Sequence, residues 1–103
     1  MIENQTSASL AERKRLLQNA LPDLRHRYSV RHLWLFGSYV RNEQTPISDL
    51  DMLVDFTTPP TLFQFVRLKD ELSDLLGVPV DLVMKTALKT RIGEQILSEI
   101  VPV

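Results

Sequence analysis

With 103 residues, 44% of them hydrophobic and gathered in runs, the chain is long enough to bury one real core and too short for several. A formal charge of −1 gives no general electrostatic grip on nucleic acid, and the basic residues that cluster (Arg13, Lys14, Arg15, then Arg25, Arg27, Arg31) have the spacing of a solvated helical face. The absence of cysteine excludes disulfides, a thiolate nucleophile and a cysteine metal site, and no apolar run approaches the ~20 residues of a membrane span.

Residues 1–8 are polar and read as a frayed end. They show no basic stretch followed by an apolar one, so no signal peptide is expected and the cytoplasm is the simplest location. Ser9-Leu10-Ala11-Glu12 reads as a capping box, opening a helix with Leu10, Leu16, Leu17 and Ala20 as its apolar stripe. Pro22 suits the first turn of a second short helix ending near Tyr28, since a mid-helix proline costs roughly 3 kcal/mol. Val30 to Phe36 reads as a strand ended by Gly37, followed by a short helix over Ser38 to Gln44 and a loop, Thr45 to Ser48. Leu50 to Phe56 is a second strand, apolar on both faces apart from its acids, as expected of a central strand. Thr57 to Pro60 forms a turn. The helix that follows, Thr61 to Leu76, carries Leu62, Phe65, Val66, Leu72, Leu75 and Leu76 on one face and stops at Gly77. Val78 to Met84 is a third strand with Pro79 at its start or on an edge. A helical segment near Leu88 to Ser98 and an apolar tail, Ile100 to Val103, complete the chain. Strands separated by helices make this an α/β fold: one small domain over residues 1–103, a mixed sheet of three to four strands packed by helices.

The chemistry concentrates between Gly37 and Asp81. Asp49 and Asp51 stand one residue apart at a strand end, where i and i+2 side chains share a face with Cα atoms about 6.5 Å apart. Left alone the pair repels and one pKa rises; a divalent cation bound by both removes the conflict. Magnesium suits such a site, since it takes few carboxylates, keeps waters and completes its octahedron with substrate phosphates. Asp81, in the otherwise apolar Val80 to Val83, is the candidate third ligand, because burying an unpaired charge in a strand is costly. Three carboxylates can hold two ions for in-line phosphoryl or nucleotidyl transfer. Gly37 lets the backbone approach a phosphate, and Ser38 and the amides behind it can donate to the anion. Arg41 is placed either to contact phosphate or to clamp the Asp49 loop, and an ion pair with Asp49 or Glu43 would explain it equally well. Asp55 lies too far along to share the metal and reads as a strand-end or surface acid. His26 and His32 lack ligand spacing, Trp34 and Phe36 read as core, and Phe63 and Phe65 face two sides of their helix, leaving one available to a partner.

Gly37-Ser38, Arg41 and Ser48-Asp49-Leu50-Asp51, followed by Met52 to Phe56, resemble the signature of the polymerase-β-type nucleotidyltransferases, and within them the minimal nucleotidyltransferase (MNT) branch. The resemblance runs from about Leu33 to Val83. The family pattern is Gly-Ser, then Asp-x-Asp, then an acid on a later strand, and Gly37, Ser38, Asp49, Asp51 and Asp81 fill it without departure. What it implies is a mixed sheet packed by helices and transfer of AMP from ATP, with two magnesium ions, to a tyrosine hydroxyl of an HEPN-domain toxin encoded alongside, the chain acting as antitoxin. Asp49 and Asp51 would bind both ions. Asp81 would bind the catalytic one and help deprotonate the acceptor. Gly37 and Ser38 would hold the β- and γ-phosphates, with Arg41 and Ser48 also in the nucleotide site. Size favours the small branch: polymerases, tRNA-end-adding enzymes and aminoglycoside-modifying relatives need further domains, so here a partner is expected to supply much of the acceptor side.

Two other functions fit the same sequence. One is an antitoxin that silences its partner by occlusion with the acids unused; the other is a transferase acting on a small molecule or RNA end. No membrane contact or direct nucleic-acid binding is expected, and a homo-oligomer is compatible with the sequence.

Overall fold

The computed structural model describes residues 9–45, 47–88 and 90–103. Residues 1–8, where the sequence suggests fraying, lie outside that set. Ser9 caps helix α1, Leu10–Tyr28, as expected: Glu12 N donates to Ser9 Oγ at 3.1 Å and Ser9 N to Glu12 Oε1 at 3.3 Å. The break expected at Pro22 does not occur, and one helix runs through it. Leu10, Arg13, Leu17, Leu24 and Tyr28 hold one face on both sides of the proline, with Leu17 and Leu24 fully buried. Burial stabilises by about 1.5–3 kcal/mol per leucine, so keeping both in one core offsets the ~3 kcal/mol proline penalty. Leu16, placed on the apolar stripe by the sequence, is instead exposed.

Strand β1, Val30–Phe36, pairs antiparallel with β2, Leu50–Phe56, and β2 pairs in parallel with β3, Val80–Met84. The apolar tail supplies a short fourth strand, β4 (Val101–Pro102), antiparallel to β1. The sheet order is β3-β2-β1-β4, a mixed four-stranded sheet with β2 inside, as its continuous apolarity predicts. Helix α2, Leu62–Leu76, lies between β2 and β3 in sequence, as a parallel connection requires. Its N-cap is a second capping box, Thr61 with Gln64, and Gly77 ends it at φ 72°. A 3-10 turn, Lys85–Ala87, and helix α3, Thr90–Leu97, lead to β4.

Alternation sorts the sheet into two faces. Leu33, Leu35, Leu50, Met52, Val54, Val80 and Leu82 pack with Leu17 and Leu24 of α1 and Leu68, Leu72 and Leu76 of α2. A register shift between Val30 and His32 brings Val30 into the same core. Of the stripe expected on α2, Leu72 and Leu76 are buried and Phe65 packs against the core, joined by Leu68, whereas Leu62 is 80% exposed and Val66 and Leu75 are also exposed. The other sheet face carries Trp34, Phe36, Asp51, Leu53, Asp55 and Asp81, and it is where the acids gather.

One arginine of the supposed solvated cluster is structural. Arg13 is 5% exposed, and its Nε donates to Leu76 O at 3.2 Å, satisfying a carbonyl at the C-terminus of α2. Its guanidinium lies 5.5 Å from the Tyr39 ring centre. Arg27 pairs with Asp23 and Glu71, and Tyr28 Oη donates to Glu71 at 2.8 Å, tying α1 to α2. No described helix is long and apolar enough to cross a membrane.

Candidate active site

The site forms where the C-terminal end of β1 meets the N-terminal ends of β2 and β3. Asp51 is the middle of a row: across the antiparallel pair it faces Phe36, and across the parallel pair it faces Asp81. Residues in register in a parallel pair point to the same face, so two carboxylates from residues 30 apart in sequence stand side by side, on strands about 4.8 Å apart. Asp49 lies just before β2 and is exposed, so it approaches from the loop rather than from the strand.

The expectation that Asp81 is a buried charge is overturned. β3 is an edge strand, and Asp81 is exposed while its neighbours Val80 and Leu82 are buried. Exposure makes it reachable from outside, whereas Asp51 sits deeper, between Gly37 and Asp81. Burial, first, and then the charge of Asp81, a hydrogen bond shared with it and the charge of Asp49 push the Asp51 carboxyl up to about 6; the Arg41 guanidinium opposes them. Two carboxylates in register repel each other when both are ionised, and an added cation relieves that repulsion.

Gly37 has a part that the sequence does not announce. It adopts φ +81°, and a Cβ built there would fall on the Asp51 carboxylate, 2.9 Å from Cγ and 3.1 Å from Cβ. The glycine therefore seats Asp51 as well as opening the turn. The short helix expected over Ser38 to Gln44 is a tight turn instead. Arg41 N and Val40 N both donate to Gly37 O, Glu43 N donates to Ser38 O, and Asn42 at φ 59° ends the winding. The amides of Val40 to Glu43 are thereby engaged within the turn, which leaves the Gly37 backbone and the Ser38 side chain beside the acids.

Of the remaining predicted residues, Ser48 closes its own loop: its Oγ accepts from Thr45 N at 2.8 Å, which fixes the approach to Asp49. Arg41 does pair with Glu43, Nε to Oε1 at 2.9 Å, and also with Glu99, Nη1 to Oε1 at 2.8 Å. Glu99 is the partner that sequence reasoning missed; no local pattern could link residues 58 apart. Asp55, at the far end of β2, faces Arg31 (3.6 Å) and His32 (3.7 Å). Phe36 is buried, and Trp34 is half-buried under the Lys85 ammonium, 5.1 Å from the ring centre. Of the two phenylalanines on α2, Phe63 is exposed and Phe65 packs inward.

The donor set suits magnesium: hard carboxylate oxygens, two of them meeting in register and a third on an adjoining loop. Among the described residues no group of three or more acids or histidines is placed to hold a metal ion together. The structure thus brings Asp51 and Asp81 into register but does not complete with Asp49 the three-carboxylate set expected from the sequence.

A family model described as Nucleotidyltransferase domain matches residues 17–103. The chain is 45% identical over 93 residues to the protein adenylyltransferase MntA of Thermococcus cleftensis, covering 90% of this chain and 94% of that one. A solved structure provisionally described as a minimal nucleotidyltransferase superposes with a TM-score of 0.71 at 40% identity, over 90% of each chain. A toxin–antitoxin crystal structure with AMP-PNP superposes with a TM-score of 0.65 at 25% identity, covering 86% of this chain and 67% of that one.

Proposed function

The chain belongs to the nucleotidyltransferase domain family, and we propose that it is a magnesium-dependent protein adenylyltransferase that moves AMP from ATP to a tyrosine hydroxyl of an HEPN-domain toxin, acting as its antitoxin. The observation that carries this reading is the in-register pair Asp51 and Asp81, set beside the Gly37 turn. The adenylyltransferase relative and the AMP-PNP-containing toxin–antitoxin neighbour support the donor and the kind of partner.

Asp49, Asp51 and Asp81 would hold magnesium, which supplies charge neutralisation at the triphosphate and lowers the acidity barrier of the acceptor. Gly37 would let the β- and γ-phosphates approach the backbone, and Ser38 would offer its hydroxyl, since the amides of Val40 to Glu43 are engaged within the turn. Arg41 adds a fixed positive charge. Asp81, exposed on the edge strand, is where an acceptor carried by another protein can arrive, and it takes the phenolic proton. The tyrosine oxygen then bonds to the α-phosphorus as the bond from that phosphorus to the bridging oxygen breaks, and pyrophosphate leaves. Exposed Leu62 lines an apolar groove with Leu82, Val83 and Met84 of β3, a surface that suits a protein partner.

The test combines the purified chain, radiolabelled ATP, magnesium and the HEPN protein encoded beside it. Label should appear on a partner tyrosine with wild type and vanish with Asp49→Asn or Asp51→Asn while the complex still forms. Equal labelling by both variants sinks the proposed roles. A silenced but unlabelled partner instead supports the occluding antitoxin.

A further inference from the structure

Arg41 is gripped from two sides. Its Nε donates to Glu43 within the same turn, and its Nη1 to Glu99, which arrives from the segment between α3 and β4. A guanidinium is planar, so two contacts on different nitrogens fix both its position and its plane. Among the described residues these hydrogen bonds use Nε and Nη1, and none is made by Nη2.

The two carboxylates are not equivalent. The Glu43 side chain is 64% exposed and the Glu99 side chain only 25%, so Glu99 is the more confined of the two. Its backbone is confined as well. Glu99 N donates to Ile96 O at 2.9 Å, and two residues later Val101 pairs with Leu35 of β1. That same strand ends in the Gly37 turn. Arg41 and its holder are thus both referenced to β1, and their relative position is set by the sheet. Exposed ion pairs contribute little to stability, so a pair of this kind is better explained by orientation than by strength.

We propose that Glu99 is a positioning residue: it holds the Arg41 guanidinium so that its uncommitted Nη2 meets the triphosphate of the bound nucleotide. The inference rests on the nucleotide-transfer reading above and adds to it a residue from the last strand connection. Glu99 touches neither substrate nor metal and acts only through Arg41.

Calorimetric titration of AMP-PNP with magnesium tests it without requiring turnover. Glu99→Ala should weaken binding about five-fold, in keeping with a lost surface pair, and Glu99→Gln, whose amide oxygen still accepts, should stay within about two-fold of wild type. Arg41→Ala should weaken binding at least as much, and Arg41→Ala/Glu99→Ala should match Arg41→Ala alone. A merely structural role would not show that dependence on Arg41. Tighter binding by Glu99→Ala would mark Glu99 as a competitor of the phosphate and overturn the proposal, as would an unchanged affinity or an additive double variant. Wild type that fails to bind AMP-PNP would overturn the nucleotide-transfer reading itself, a result distinct from the others.

Discussion

Gly37→Ala tests whether the turn and Asp51 are built around each other. The new methyl meets two penalties. A side chain at φ +81° costs about 1–2 kcal/mol. Contact with the Asp51 carboxylate, 2.9 Å from Cγ, adds an overpacking cost of about 1–3 kcal/mol. The sum is about 2–5 kcal/mol. Gly77→Ala is the matched control: its φ is +72°, but nothing lies within 4 Å of the added Cβ, so only the backbone penalty applies. Urea unfolding should rank Gly37→Ala as the more damaging by the size of the steric part. In an Asp51→Ala background, which removes the carboxylate and leaves the 3.1 Å Cβ contact, the excess should largely disappear. Nucleotide transfer by Gly37→Ala should fall with the displacement of Asp51. Equal costs at the two glycines, or an excess that persists without the Asp51 carboxylate, would refute the reasoning.

Three further outcomes are expected. The folded Asp51 value of about 6 lies above its ordinary 3.8, so its protonated form favours the native state; that contribution is full below about pH 4 and is lost as pH rises through about 6. Discounted for solvent screening, Asp51→Asn in chelator should gain about 1–2 kcal/mol at neutral pH and little in acid, and magnesium should stabilise wild type but not the variant in thermal melts. Pro22→Ala should raise stability by about 1–3 kcal/mol if one helix spans the site, and leave it flat or lower if two helices meet there. Arg13→Ala should cost about 2–3 kcal/mol by orphaning the Leu76 carbonyl, Arg13→Lys should not fully rescue it, and Arg15→Ala should stay within about 0.5 kcal/mol, all by denaturant titration.

What could be read from the sequence was what is local. The Ser9 capping box, the two long strands, the Gly77 stop and the Gly37-Ser38 and Asp49-x-Asp51 motifs each depend on neighbours within a few residues, and each is found. Pro22 misleads because its penalty is local while the compensation, Leu17 and Leu24 in one core, is tertiary. The stripe on α2 holds at Phe65, Leu72 and Leu76 but misses Leu68 and includes Leu62, Val66 and Leu75, because apolar residues cover more than half of that helix and only the sheet decides which side turns in. Asp81 was found for a reason that does not hold: its strand is an edge, not buried, and what makes it matter is register with Asp51. That register, the antiparallel contact of β1 with β2, the strand at Val101–Pro102 and the reach of Glu99 to Arg41 all join distant segments and leave no periodic trace.

The placement of β3 at the border of the sheet has a practical bearing on Asp81. Valine, leucine, valine and methionine make up the rest of that five-residue strand, and its outer backbone groups face away from β2. Such a ribbon is disposed to recruit a copy of itself, and a single negative charge is a common guard against it. Asp81→Asn, the obvious inactive variant, removes the guard along with the chemistry. A preparation of that variant that lacks activity should therefore be sized by light scattering before the loss is assigned to the missing carboxylate, since strands zipped edge to edge would hide the site from any acceptor.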